Sequence, residues 1–163
     1  MDMTFRELAE DEVERCAGWL TASEPWIALG FDQAKSEWAL RRVGLEKWVA
    51  VDSDDTPVGI ALLNFGGPFV GYLQILCVAP EQRGRGIGSA LIGFAEERIF
   101  ARHNNMFICV TDFNTDAQRL YARHGFEQVG RLENFLVTGH AELLLRKTRG
   151  PIFAPPAPND GGA

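Results

Sequence analysis

Gln82-Arg83-Gly84-Arg85-Gly86-Ile87-Gly88-Ser89 joins a strand-like stretch to an amphipathic helical one. Three glycines at alternate positions let the backbone approach a ligand closely and leave amides pointing outward. The helix that follows adds unpaired N–H groups and the positive end of its dipole. Together they make an anion site suited to a pyrophosphate; the bland alternative is a flexible linker. Arg83 and Arg85 supply local positive charge. Two other nucleotide motifs fit worse. The Walker loop requires Gly-Lys-Ser/Thr, which is absent, and the dinucleotide fingerprint requires G-x-G-x-x-G, whereas the third glycine here comes one residue early, at Gly88. The turn also lies in mid-chain, after a predicted hairpin and not after a first strand.

Outward from the turn, residues 70–78 read as a strand and 79–86 as its loop. Residues 87–102 read as a helix with Ile87, Leu91, Phe94, Ala95 and Ile99 on one face. Upstream, 4–8 is a short strand, and 11–22 is a helix with Val13, Cys16, Ala17 and Leu20 on one face. Pro25 breaks the pattern, since it disfavours helical geometry at Glu24. A second helix, 31–43, closes at Gly44. Residues 48–51 and 58–65 form a hairpin about the turn 53–57. Downstream, 106–110 is a buried strand, 115–124 a helix, and 127–135 and 141–146 the last two strands. This order predicts an α+β fold: an antiparallel meander, then strand–helix–strand–helix–strand. The crossover would place 70–78 and 106–110 parallel in one sheet. The organisation expected is one domain, 1–149, with a Pro/Gly-rich tail, 150–163, read as an extended or disordered appendage.

At 163 residues with 46% hydrophobic and 23% charged side chains, the chain is a globular domain large enough for its own core. No apolar run reaches the roughly 18 residues of a membrane span. The start, Met1-Asp2-Met3-Thr4, has neither a basic nor an apolar stretch, so no signal peptide is expected. Cys16, Cys77 and Cys109 sit in apolar sequence and read as reduced core thiols of a cytoplasmic protein, not as disulfides or metal ligands. A net charge of −6 argues against nucleic-acid or anionic-membrane partners, so an anionic ligand must be held by local groups.

The sequence resembles the GNAT acetyltransferase superfamily at two motifs. The signature Arg/Gln-x-x-Gly-x-Gly/Ala is matched by Arg83, Gly86 and Gly88, after a strand ending in Cys77-Val78-Ala79-Pro80. The signature Asn-x-x-Ala-x-x-x-Tyr-x-x-x-Gly-Phe is matched by Asn114, Ala117, Tyr121, Gly125 and Phe126. Both stand in the family's order and spacing. The resemblance covers 4–147 in element order and is specific over 73–130. It implies a mixed, mostly antiparallel sheet flanked by helices, with a splayed parallel strand pair at its centre. It further implies acetyl-CoA as co-substrate. The backbone of Leu76, Cys77 and Val78 would pair with the pantetheine amides. The amides of Gly84, Arg85, Gly86, Ile87, Gly88 and Ser89 would hold the pyrophosphate. Asn114 would contact the pantetheine arm, and Tyr121 would lie near the thioester sulfur.

Asn114 and Tyr121 lie about two helical turns apart, on one face. Thr115 and Gln118 have capping-box spacing, with Thr115 as N-cap, which leaves the Asn114 side chain free for a ligand. A phenol near a departing thiolate can protonate it, a role worth roughly 10²–10⁴-fold. Alternatively Tyr121 is a core aromatic beside Leu120.

The nucleophile must be a neutral amine, so a base or a water relay must take the proton of an ammonium. In the ribosomal-protein alanine N-acetyltransferases a glutamate stands on the fifth strand, five residues before the asparagine. Here that position is Cys109, although 129–135 is similar to their Gly-Arg-x-x-x-Tyr segment. Glu24 and Trp26 lie in a loop that commonly walls the acceptor site in this family. Glu24 could accept from an ammonium and Trp26 offer a cation–π face, or both could be ordinary loop residues. His140 and Glu142 lie near the last hairpin, with His140 either an acceptor contact or a turn residue. The leading expectation is transfer of acetyl to the primary amine of a small molecule by direct attack in a ternary complex. A protein N-terminal acetyltransferase is the alternative, and a non-catalytic acyl-CoA sensor the alternative of another class. A second copy of the chain is the one protein partner left open.

Overall fold

The computed structural model describes residues 3–155. The elements run β1 (Thr4–Glu7), a 3-10 turn (Glu10–Glu12), α1 (Val13–Thr21), α2 (Gln33–Arg41), β2 (Leu45–Val51), β3 (Pro57–Asn64), β4 (Tyr72–Val78), a 3-10 turn (Pro80–Gln82), α3 (Ile87–Phe100), β5 (Asn105–Thr111), α4 (Thr115–Arg123), β6 (Glu127–Glu133) and β7 (Ala141–Thr148). The seven strands form one sheet in the order β1-β2-β3-β4-β5-β7-β6. Every neighbouring pair is antiparallel except β4 and β5. The expected α+β architecture, with its parallel pair between strands joined by the α3 crossover, is the one observed.

Two apolar layers cover the sheet. Beneath α3, Leu91, Ala95 and Ile99 pack with Leu73 of β4, with Met106, Ile108 and Val110 of β5, and with Leu143 and Leu145 of β7. On the other face Cys16, Ala17 and Leu20 of α1 and Ala39 and Leu40 of α2 pack on Val49, Ile60, Leu62, Ile75 and Cys77. That second core takes in no residue of β5, β6 or β7, so α1 and α2 cover the first half of the sheet only.

The parallel pair barely forms. β4 and β5 share one register partner, Tyr72 with Phe107, with the Phe107 N–H donating to the Gly71 carbonyl at 3.0 Å. A bulge disturbs β4 where Leu62 faces Ile75 but Leu63 faces Leu73, which leaves Gln74 unopposed and turns the strand. Beyond it β4 and β5 diverge toward their C-terminal ends. Gly71 is required at the base: its φ is +83°, and a Cβ there would stand 2.4 Å from the Asn105 carbonyl oxygen.

The tail departs from expectation where it is described. The buried Asn104 donates to the carbonyls of Pro151 at 3.0 Å and Ala154 at 2.9 Å, and Asn105 donates to that of Gly150 at 3.2 Å. Backbone carbonyls are strong acceptors, and two buried carboxamides tether the first residues of the Pro-rich segment to the domain. Residues 156–163 of that predicted tail lie outside the described residues.

Candidate active site

The divergence of β4 and β5 opens a cleft of roughly 1230 Å³ that runs from the glycine-rich turn to the loop between α1 and α2. One end of it is made by the turn. Gly84 and Gly86 take φ of +76° and +80°, and a Cβ built on either meets no atom within 4 Å. Their conformation requires glycine while the space before them is open, which is how a cradle for a bulky anion is shaped. Gly86 is the N-cap of α3 and offers no side chain, and the first helical backbone bond runs from Ala90 to Gly86. The amides of Ile87, Gly88 and Ser89 are therefore directed at the cleft. Gly88 has a second reason: a Cβ there would lie 3.3 Å from Leu120 of α4, so its absence lets the two helices close over the site.

The two arginines of the turn are placed differently from one another. Arg83 lines the cleft and donates to the Ser23 hydroxyl, which in turn donates to the Trp19 carbonyl at 2.5 Å. It braces the turn against the end of α1. Arg85 is exposed, donates to Gln82 at 3.0 Å, and is not among the residues lining the cleft. Along the wall, Leu76, Cys77 and Val78 border the gap left by β5.

The capping of α4 corrects the expectation from sequence. Asn114, not Thr115, is the N-cap: its side-chain oxygen accepts from the Ala117 N–H at 3.3 Å. Gln118 does not complete a capping box. Its amide donates to the carbonyls of Thr111 at 3.2 Å and Asp112 at 2.9 Å, pinning α4 to the end of β5. Asn114 still lines the cleft, with its oxygen engaged and its NH₂ left for a ligand.

Tyr121 is a core aromatic that also borders the cleft. It is 5% exposed, packs edge-on to Phe126 and belongs to the core under α3, yet it also lines the cleft. Burial, followed by the nearby Cys77 thiol, pushes its ionisation well above the ordinary phenol range, so the hydroxyl stays a proton donor at neutral pH.

At the other end, Glu24 and Trp26 both line the cleft. The Glu24 carboxylate accepts from the Ala28 N–H at 3.2 Å, and Trp26 packs on the core beneath α1 and α2, so each also holds its loop. His140 is not brought to the cleft. It stands 3.3 Å from Asp112, edge-on to Phe113, while Asp112 also accepts from the Ala141 N–H and from Arg131. The Ala141 amide first, then His140 and Arg131, hold the Asp112 carboxylate below its ordinary range against the opposing effect of burial. Cys109 faces the cleft with its thiol raised by burial and hydrogen-bonded with the Tyr72 hydroxyl, and it is not a base at neutral pH. The buried carboxylate at this end is Glu142, 5% exposed and opposite Thr111 in the β5–β7 register. No local motif marks it; the signal for it is an acid in the alternation of an otherwise apolar last strand, Ala141 to Leu145.

The sequence profile of the acetyltransferase (GNAT) family matches residues 6–126, and the chain belongs to that family. Among curated relatives, an uncharacterized protein of Mycobacterium leprae is 29% identical over 86% of this chain and 39% of its own length. The peptidyl-lysine N-acetyltransferase YjaB of Salmonella typhimurium is 34% identical over 53% of each chain. The chain thus spans between about two-fifths and about half of the length of these two relatives. Among solved structures, a mutant of spermidine N-acetyltransferase SpeG from Vibrio cholerae superposes with a TM-score of 0.69 at 17% identity, over 90% of this chain and 93% of that one, a likeness of fold.

Proposed function

We propose that this family member transfers an acetyl group from acetyl-CoA to the primary amine of a small molecule by direct attack in a ternary complex. The observation that carries the reading is the open cradle at Gly84 and Gly86, set before the free amides of α3 at the mouth of the splayed β4–β5 pair. In this reading the amides of 84–89 hold the pyrophosphate, and the free backbone edge of Leu76, Cys77 and Val78 pairs with the pantetheine arm. The Asn114 NH₂ steadies that arm, and Tyr121 donates a proton to the leaving thiolate. When bound, the thioester supplies the acetyl group and a leaving group of low basicity. Arg83 sets the position of the turn more than it adds charge to it. Three free thiols, Cys16, Cys77 and Cys109, fit a reducing, cytoplasmic setting.

Calorimetry tests the placement. CoA should bind the parent protein and bind Gly86→Asp at least tenfold more weakly, because the variant puts a Cβ in a left-handed position and a carboxylate before the pyrophosphate. Undiminished binding in a variant that melts like the parent would remove the cradle from the site.

A further inference from the structure

Among the described residues Glu142 is the one acidic side chain that is buried. Leu143 and Leu145 enter the core under α3, so by the alternation of β7 Glu142 points to the opposite face. That face is the half of the sheet α1 and α2 leave uncovered, and there Glu142 lines the cleft. One of its oxygens accepts from the Thr111 hydroxyl at 2.7 Å; the other takes no hydrogen bond from a described residue. The titratable groups facing it are Cys109 and Asp112 on the β5 side and Tyr72 on β4, all acids, so nothing there neutralises it.

The rim of the same cleft is apolar. Ile27, Trp38, Phe135 and Leu136 line it while 51–66% exposed, large for side chains of this kind. The charges at that rim are the cations Lys35 and Arg42 and the exposed carboxylate of Glu24. Glu24 accepts from the Ala28 N–H with one oxygen and is open to solvent, and Asp116 is paired with Arg119. One buried carboxylate beneath an apolar rim, where two cations outnumber the solvent-screened Glu24, accommodates one ammonium and disfavours a second.

We propose that the acceptor is a primary monoamine on an apolar body, an alkylamine or arylalkylamine, which lies along this rim and presents its amine to Glu142 as the proton acceptor. The inference rests on the acetyl-transfer reading above. Glu142 takes one proton from the ammonium. The freed lone pair forms the C–N bond to the acetyl carbonyl carbon, the C–S bond breaks, and Tyr121 protonates the thiolate. The second amine proton leaves to solvent, and both side chains re-equilibrate with it. Burial, and secondarily the Asp112 charge, raise the Glu142 carboxyl above its ordinary range while Thr111 lowers it, which moves the base toward working pH.

The test is CoA release with 2-phenylethylamine, spermidine and an alanine-initiated peptide, beside calorimetry of 2-phenylethylamine on CoA-saturated protein. The expected result is binding of 2-phenylethylamine and a kcat/KM at least tenfold above that of the other two. Glu142→Gln should lower kcat/KM about 10²-fold or more without lowering the melting temperature. Thr111→Val removes a hydrogen bond that lowers the Glu142 pKa, so the acidic limb of the kcat/KM profile should move to higher pH. Preference for spermidine or the peptide, no binding of 2-phenylethylamine by protein that binds CoA, or a parental rate and pH profile in Glu142→Gln would each overturn the inference. Failure of the parent to bind CoA would overturn the acetyl-transfer reading itself, and this inference with it.

Discussion

Tyr121 is held by apolar contacts on one side and left to the cleft on the other, the placement that the proposed general acid needs. Tyr121→Phe removes only an oxygen from a ring packed on Phe126, so the fold and the CoA affinity should stay near the parent's. Turnover with the best acceptor should fall about 10²-fold, since a positioned acid is lost. Unchanged turnover would mean that water protonates the thiolate. The placement of Tyr121 on the helix after Asn114 was legible from spacing within one helix, while its proposed role came from the family resemblance. Asn114 was only half legible. Asn and Thr are both good N-caps, and Thr115 with Gln118 satisfies the box on paper. What decides between them is that Gln118 finds the carbonyls of Thr111 and Asp112, a partner supplied by the end of β5 and not by the helix. Glu142 was named only as a neighbour of the last hairpin. Its burial comes from pairing with Thr111 across β5 and β7, and long-range register has no local signature.

At the scale of elements, the cleft exists because β4 and β5 part after one pair, and Gly71 sets where they part. The alternation of 70–78 predicted a strand that begins two residues too early, because the left-handed φ of Gly71 is a demand of the neighbouring Asn105 carbonyl and not of its own sequence. The shape of the glycine turn was legible because its demands are local: positive φ at Gly84 and Gly86, then a helix start. The tethering of residues 150–154 was not legible because Asn104 and Asn105, which hold them, look like loop residues until the chain returns to them. Gly71→Ala should be among the costlier single substitutions here, about 3 kcal/mol or more, since backbone and a Cβ would compete for the same space in a strained φ. Urea unfolding measures it. A cost below about 1 kcal/mol would show that the start of β4 can shift without penalty.

At the scale of the whole molecule, the sheet is two antiparallel halves, β1–β4 and β5–β7, joined by one parallel register pair and by the helices that span them. The core beneath α3 touches both halves and must hold them together, while the core beneath α1 and α2 belongs to the first half alone. A pantetheine arm lying along Leu76, Cys77 and Val78 would supply the hydrogen bonds that β5 does not. Ligand binding and stability are then linked: CoA at a hundred times its Kd should stabilise the fold by about 2.7 kcal/mol. For a domain of this size that corresponds to a rise in melting temperature of about 5–10 °C. Hydrogen exchange distinguishes this wedge from binding elsewhere. The amides of 76–78 that face the gap, and those of Ile87, Gly88 and Ser89, have no partner in the sheet or helix and should exchange fast without ligand. With CoA they should gain protection beyond the general slowing seen in β2 and β3. A uniform slowing with no added protection in these two segments would place the ligand outside the cleft, however large the rise in melting temperature.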